Sequence, residues 1–174
     1  MTPREFLMRF APVGVALSLA FGLTASMSFS VPPRPLDPRA AALVAEGQAA
    51  LAAGNADGAI DAYEAALAIQ PGSTEITLGL AEATRRVGLQ GKALHYYREA
   101  LERDPKNVAA ISGEGAALVE KGAVEKARRN LARLESLCGG SCPEAESLAA
   151  LIARGPQDRV MTAEVAKPET AVAN

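Results

Sequence analysis

Apolar residues recur at spacings of three and four along most of the chain after residue 37, and short polar segments interrupt them at regular intervals. This spacing places apolar side chains on one face of an α-helix. It predicts seven helices and no strand, with the helices at 38–53, 56–69, 73–87, 90–103, 107–121, 124–137 and 143–154. Asp37, Ser73 and Asn107 are favourable N-caps for three of them. Ser141 and Glu144 have the spacing of a capping box for the last helix.

A longer pattern recurs every 34 residues, which indicates an internal repeat. Four residues near the end of one unit recur in the next: Ala59, Tyr63, Ala66 and Pro71 correspond to Ala93, Tyr97, Ala100 and Pro105. The first half of each unit repeats as Leu43, Gly47 and Gly54, then Thr77, Ala81 and Gly88, then Ile111, Gly115 and Gly122. The small residues allow two helices to approach closely, the glycines permit a turn and the prolines end a helix.

This pattern resembles the tetratricopeptide repeat family, whose unit is a pair of antiparallel helices with small, aromatic and proline residues at these positions. The resemblance covers about 39–139. It implies an all-α solenoid of three helix-turn-helix repeats at 38–71, 72–105 and 106–139, closed by a capping helix at 140–154. The third copy departs from the pattern because Leu131 and Leu134 replace the aromatic residue and the alanine. A terminal repeat is expected to differ, since it faces a cap.

The segment at 1–30 has the pattern of a secretory signal peptide. Arg4 and Arg9 precede an apolar run that starts at Phe10, and small residues follow it. This pattern predicts export, with a periplasmic location. The run is only about 16 residues long and contains Pro12 and Gly14, whereas a membrane-spanning helix needs about 20. An uncleaved segment that anchors the chain in the inner membrane is the alternative.

The segments that flank the predicted repeats have different compositions. Four prolines between 31 and 38 predict an extended leader at 31–37. Residues 155–174 lack a sustained apolar stripe, which predicts a disordered tail. Neither segment carries residues that suggest chemistry.

Composition and charge narrow the classes of partner. The chain is 49% hydrophobic and 22% charged, with a formal net charge of −2. Its basic residues are spread over the helices and form no patch in the sequence. Nucleic acid is therefore not a predicted partner.

Cys138 and Cys142 are the only cysteines. In an exported protein such a pair is interpreted first as a disulfide, and their spacing at a helix end can bring the Cα atoms within bridging range. Thiol-disulfide exchange is disfavoured because Cys138 lies at a helix C-terminus and three residues separate the pair. A metal site would need further ligands, and His95 is the only histidine. The sequence thus predicts no metal.

No set of residues in the sequence has the pattern of a catalytic site. There is no glycine-rich phosphate loop after a strand, and His95 has no second histidine or placed nucleophile beside it. The carboxylates on the second helices, such as Asp61, Glu64, Glu99 and Glu102, are interpreted as a solvated helix face. The chain is predicted to be no enzyme and to need no cofactor.

The resemblance implies that the first helix of each repeat lines a concave groove in which a partner binds. Its outward positions are Val44, Gln48, Leu51, Leu78, Glu82, Arg85, Arg86, Ser112, Ala116, Val119 and Glu120. Chaperone-binding members grip a terminal carboxylate with paired lysine and asparagine, but Val44 and Gln48 occupy the first two of those positions. A chaperone tail is therefore not the expected ligand. Arg85 and Arg86 remain candidates for contact with an acidic segment.

These observations together predict a non-catalytic adaptor or assembly factor of the bacterial cell envelope that binds a peptide or protein segment in the groove. A thiol-disulfide or metal-handling accessory protein that uses Cys138 and Cys142 is one alternative. A self-associating structural module is another, because the ends of a short stack are free to pair with a second copy. A membrane contact is predicted only through an uncleaved N-terminal segment. The sequence does not identify the partner.

Overall fold

The structure is a computed structural model that describes residues 35–139 and 142–156. These residues form seven helices and no strand: α1 Pro38–Ala52, α2 Ala56–Ile69, α3 Thr74–Arg86, α4 Gln90–Arg103, α5 Val108–Glu120, α6 Val124–Cys138 and α7 Pro143–Arg154. Every bound lies within one residue of its predicted position. The all-α solenoid predicted from the sequence is confirmed. The predicted signal peptide and most of the leader and the tail lie outside the described residues.

Side-chain caps fix where four helices begin. The expected caps act as predicted: Asp37 Oδ1 accepts from the Arg39 amide at 2.9 Å, and Asn107 Oδ1 accepts from the Ala110 amide at 2.9 Å. Ser73 Oγ accepts from the amide of the third residue along the chain at 3.5 Å. Asn55, which was not among the predicted caps, caps α2 in the same way at 3.0 Å.

The predicted capping box of the last helix is wrong. Cys142 is the N-cap of α7 and makes no side-chain capping bond. Glu144 is consequently the second helical residue, one position too early for the reciprocal bond of a capping box. Ser141 itself lies outside the described residues.

Glycine turns make each repeat an antiparallel helix pair. Gly54, Gly88 and Gly122 have φ values of 78°, 91° and 81°, in the region that residues with a side chain rarely adopt. In each turn the amide after the glycine donates to a carbonyl of the preceding helix, as Asn55 does to Ala50 at 2.9 Å. The turn therefore closes the first helix and reverses the direction of the chain.

The helix pairs stack in chain order through two buried tyrosines. Helices α2 and α4 each pack against the first helix of the next repeat. The Tyr63 ring lies against Gly47 and Gly79, and the Tyr97 ring lies against Gly113. A Cβ atom added at Gly113 would lie 2.3 Å from the Tyr97 ring. Gly79 and Gly113 thus let adjacent repeats approach, and their equivalent positions in successive repeats were a signal for this role.

Helix α7 is the first helix of an incomplete fourth repeat. Helices α3, α5 and α7 end at Arg86, Glu120 and Arg154. Successive ends are 34 residues apart, which is the length of one repeat. Helix α7 packs on both α5 and α6, and its fully buried Leu148 lies against Gly115 of α5. This helix covers the last complete repeat, as a capping helix does.

The described residues contain no helix with both the length and the apolar character needed to cross a membrane. Residues 1–30, for which an inner-membrane anchor is the alternative to a signal peptide, lie outside the described residues.

Candidate binding groove

The structure removes three of the predicted groove residues from the accessible surface. Val44, Ala116 and Val119 retain only 4%, 6% and 1% of their exposure. Helices α1 and α5, which carry these residues, pack both on the second helix of their own repeat and on the first helix that follows it. The periodicity of a single helix does not show how far neighbouring helices cover these residues.

Four further residues predicted for the groove are uncharged and remain at least partly accessible. Gln48 is exposed, whereas Leu51 and Leu78 are half-buried and pack at the edge of the core. Ser112 is half-buried, and its Oγ donates to the backbone oxygen of Glu144 in α7 at 3.3 Å. This part of the groove offers apolar surface with isolated polar groups, which suits an extended or helical peptide.

The four charged positions are brought together in one network. Arg85 pairs with Glu82 at 2.8 Å within α3 and also with Glu120 of α5. Arg86 pairs with Glu82 at 2.8 Å. Gln90 Nε2 donates to the second carboxylate oxygen of Glu120 at 2.6 Å. The pair between Arg85 and Glu120 links the second repeat to the third.

Tyr97 connects this network to the core. Its side chain is 3% exposed, and its hydroxyl donates to Glu82 Oε2 at 3.0 Å. Burial, followed by the charge of Glu82, raises the pKa of Tyr97. The phenol therefore stays protonated at neutral pH and remains a hydrogen-bond donor.

Opposing effects set the ionisation of the charged groups. Burial alone would raise the pKa of Glu82, but hydrogen bonds from Arg85, Arg86 and Tyr97 outweigh it and hold that pKa below its ordinary value. For Arg85, burial acts to lower the pKa, and the two carboxylates outweigh it and raise the pKa above the ordinary value. Glu82 and Arg85 are therefore both charged at neutral pH.

The charge balance of the network limits what it can bind. The carboxylates of Glu82 and Glu120 balance the guanidinium groups of Arg85 and Arg86. Arg85 has 20% side-chain exposure, so an incoming carboxylate would have to displace an existing partner. Arg86 is more accessible at 49%, although it too bonds to Glu82. The hypothesis that Arg85 contacts an acidic segment is weakened by these bonds.

The other candidate chemistry lies away from the groove. The structure joins Cys138 and Cys142 in a disulfide with Cα atoms 5.5 Å apart, between the end of α6 and the start of α7. Cys142 is 4% exposed. His95 lies exposed on α4 beside the Tyr96 ring. Across the described residues no three histidine, cysteine or carboxylate side chains cluster in a way that could hold a metal ion.

The comparison with protein families finds one match. A family model described as tetratricopeptide repeat matches residues 35–74, 44–107 and 78–135. These segments together span 35–135, more than half of the chain. A comparison with curated proteins gives no match.

Solved structures with the same fold are numerous. The tetratricopeptide domain of Sgt2 from Aspergillus fumigatus has 27% identity and a TM-score of 0.62, and the match covers 68% of this chain and 80% of that one. The first such domain of Spaghetti, bound to an HSP90 peptide, has 23% identity, a TM-score of 0.61 and coverages of 68% and 94%. A domain of yeast Sti1 in a complex with an Hsp70 has 19% identity, a TM-score of 0.60 and coverages of 68% and 98%.

Proposed function

Because the chain belongs to the tetratricopeptide repeat family, we propose that it is a non-catalytic adaptor that holds a peptide or protein segment of a partner in its concave groove. Such repeat stacks present an extended concave surface, and the family generally serves protein interaction. Solved domains of the same fold, from Spaghetti and Sti1, are in complexes with an HSP90 peptide and with Hsp70. These complexes support a peptide or protein partner for the present chain.

The observation that carries the proposal is the composition of the accessible groove. Leu51 and Leu78 offer half-buried apolar surface, and the neighbouring charges balance one another. A partner segment is therefore held by burial and shape, with no free cation cluster among the described groove residues to grip a terminal carboxylate. This groove therefore differs from one that binds the terminal carboxylate of a chaperone tail. The same conclusion follows from Val44 and Gln48, which occupy the positions where chaperone-binding members have lysine and asparagine.

We further propose that the adaptor is exported and acts in assembly within the bacterial cell envelope. Arg4, Arg9 and the apolar run after them support export. The disulfide between Cys138 and Cys142 suits an oxidising compartment such as the periplasm. If the N-terminal segment is not cleaved, the same domain is held at the inner membrane. Its absence from the periplasmic and membrane fractions of a fractionated cell would refute this location.

Site-specific photo-crosslinking tests the groove. A photoreactive phenylalanine analogue replaces the exposed Gln48 in the groove, and a matched variant carries it at His95, which is exposed on the second helix of a repeat. We expect a discrete cross-linked protein at Gln48 and none at His95 when the full chain is irradiated in its native periplasmic extract. Equal products at both positions, or none at Gln48, would refute the groove as the binding surface.

A further inference from the structure

Leu89 is exposed where a polar side chain would be expected. It retains 51% of its exposure, and within residues 35–139 and 142–156 only Leu137 is another large apolar side chain that is exposed. Leu89 is the N-cap of α4 and makes no capping bond. In the first repeat the same position is Asn55, which caps its helix. Leucine is among the poorest N-cap residues, so Leu89 at this position makes α4 less stable than a polar N-cap would.

Core packing does not account for Leu89. Ala123 holds the same position in the third repeat and also lacks a capping bond, but it is half-buried and packs against the core. Leu89 belongs to neither of the two buried clusters and is not among the residues packed against them. Its side chain thus contributes to neither the helix start nor the core of the described fold.

The exposed leucine lines a recess at the edge of the stack. The turn before α4, the first residues of α4 up to Lys92, and Glu120 and Lys121 at the end of α5 border an open depression of about 470 Å³. An open depression of this kind can take up a side chain of a partner segment. We call it the Leu89 recess.

Positive charge borders the Leu89 recess. Lys121 is exposed and forms no ion pair with any residue that the structure describes. Lys92 Nζ lies 3.4 Å from the exposed carboxylate of Glu64 and 5.8 Å from the centroid of the Tyr96 ring, and both contacts are weak at an exposed site. Both carboxylate oxygens of Glu120 already accept hydrogen bonds from Arg85 and Gln90, and Arg85 balances its charge.

We propose that the Leu89 recess is a second binding site, which borders the groove at Glu120, for a partner segment with a large apolar side chain flanked by carboxylates. The apolar side chain packs on Leu89 and Gly91, and the carboxylates pair with Lys92 and Lys121. This charge pattern selects an acidic segment, whereas the groove network is balanced. One partner that reaches both sites gains affinity from the second contact.

The test uses a probe peptide and a substitution that separates binding from stability. The probe is a fluorescein-labelled hexapeptide with leucine and phenylalanine between two pairs of aspartates, titrated into the full chain at low salt. We expect saturable binding that weakens as salt is added. Leu89→Asn should lower the affinity at least tenfold without lowering the melting temperature, because asparagine can supply the missing cap. The same substitution at the other exposed leucine, Leu137→Asn, is the matched control and should leave the affinity unchanged.

Charge reversal provides the second arm. Lys92→Glu combined with Lys121→Glu should abolish binding of the acidic probe, and a probe with lysines in place of aspartates should not bind the wild-type chain. Absence of saturable binding up to millimolar probe would overturn the proposal, as would an affinity within twofold of wild type for Leu89→Asn. If Leu89→Asn lowers the molar mass of the protein measured by sedimentation, the recess binds a second copy of the chain and the proposal is overturned. Cross-linking at Gln48 reports on the groove independently.

Discussion

Replacement of Gly113 by alanine is the most direct test of how the repeats stack. Gly113 lies inside α5, where alanine is normally about 1 kcal/mol more favourable than glycine. Here the new Cβ would lie 2.3 Å from the Tyr97 ring and 2.7 Å from its hydroxyl oxygen. The ring cannot swing away cheaply, because it is 3% exposed and its hydroxyl is bonded to Glu82.

The expected magnitude follows from two opposing terms. Overpacking of a filled core costs about 1–3 kcal/mol, and so close a contact belongs at the upper end. After subtraction of the helix-propensity gain of about 1 kcal/mol, Gly113→Ala should lower the free energy of unfolding by about 2 kcal/mol. Gly91→Ala in α4 is the control: nothing lies within 4 Å of its added Cβ, so this variant should be unchanged or more stable by up to about 1 kcal/mol.

Urea unfolding followed by circular dichroism measures both variants. A second readout combines Gly113→Ala with Tyr97→Leu, because the third repeat has Leu131 at the tyrosine position. The double variant should lose less stability than the sum of the two single losses, since the smaller side chain leaves room for the methyl group. If Gly113→Ala equals the wild type in stability, the close packing of Tyr97 against α5 is not what holds the second and third repeats together.

Three further predictions address the caps, the charge network and the disulfide. Asn107→Ala should lower the free energy of unfolding by about 1 kcal/mol, because it removes the side-chain cap of α5. An unchanged urea midpoint would contradict that role. Because the pKa of Glu82 is lowered in the fold, its contribution to stability is present above its unfolded pKa and is lost as the pH falls through its folded pKa. Glu82→Gln should therefore flatten the acid side of a stability-pH profile, and an identical slope in both proteins would exclude this linkage. Cys138→Ser with Cys142→Ser should cost about 2 kcal/mol, estimated from the entropy of a short loop, while partner cross-linking at Gln48 persists. Loss of that cross-linking in a stably folded variant would instead indicate a functional role for the thiols.

The local features of this fold were predictable because neighbouring residues encode them. Helix bounds follow from apolar spacing, from caps such as Asn107 and from glycines such as Gly122, each of which acts within one turn of the chain. The capping box predicted at Ser141 shows where such local patterns fail. The spacing of Ser141 and Glu144 is that of a capping box, but the helix begins at Pro143. The N-cap is therefore Cys142, one residue later than the capping box requires.

The helices, the repeat and its period could be inferred from the sequence alone, because these depend on contacts within a helix or between adjacent helices. The accessibility of the predicted groove positions became evident only from the packed helices, in which Val44 and Val119 are buried. The tertiary structure also shows that Arg85, a candidate for contact with an acidic segment, bonds to Glu120 in the next repeat, which neutralises its charge. Side-chain pairing across repeats depends on the distance and rotation between stacked helices, and the periodicity of a single helix carries no information about either.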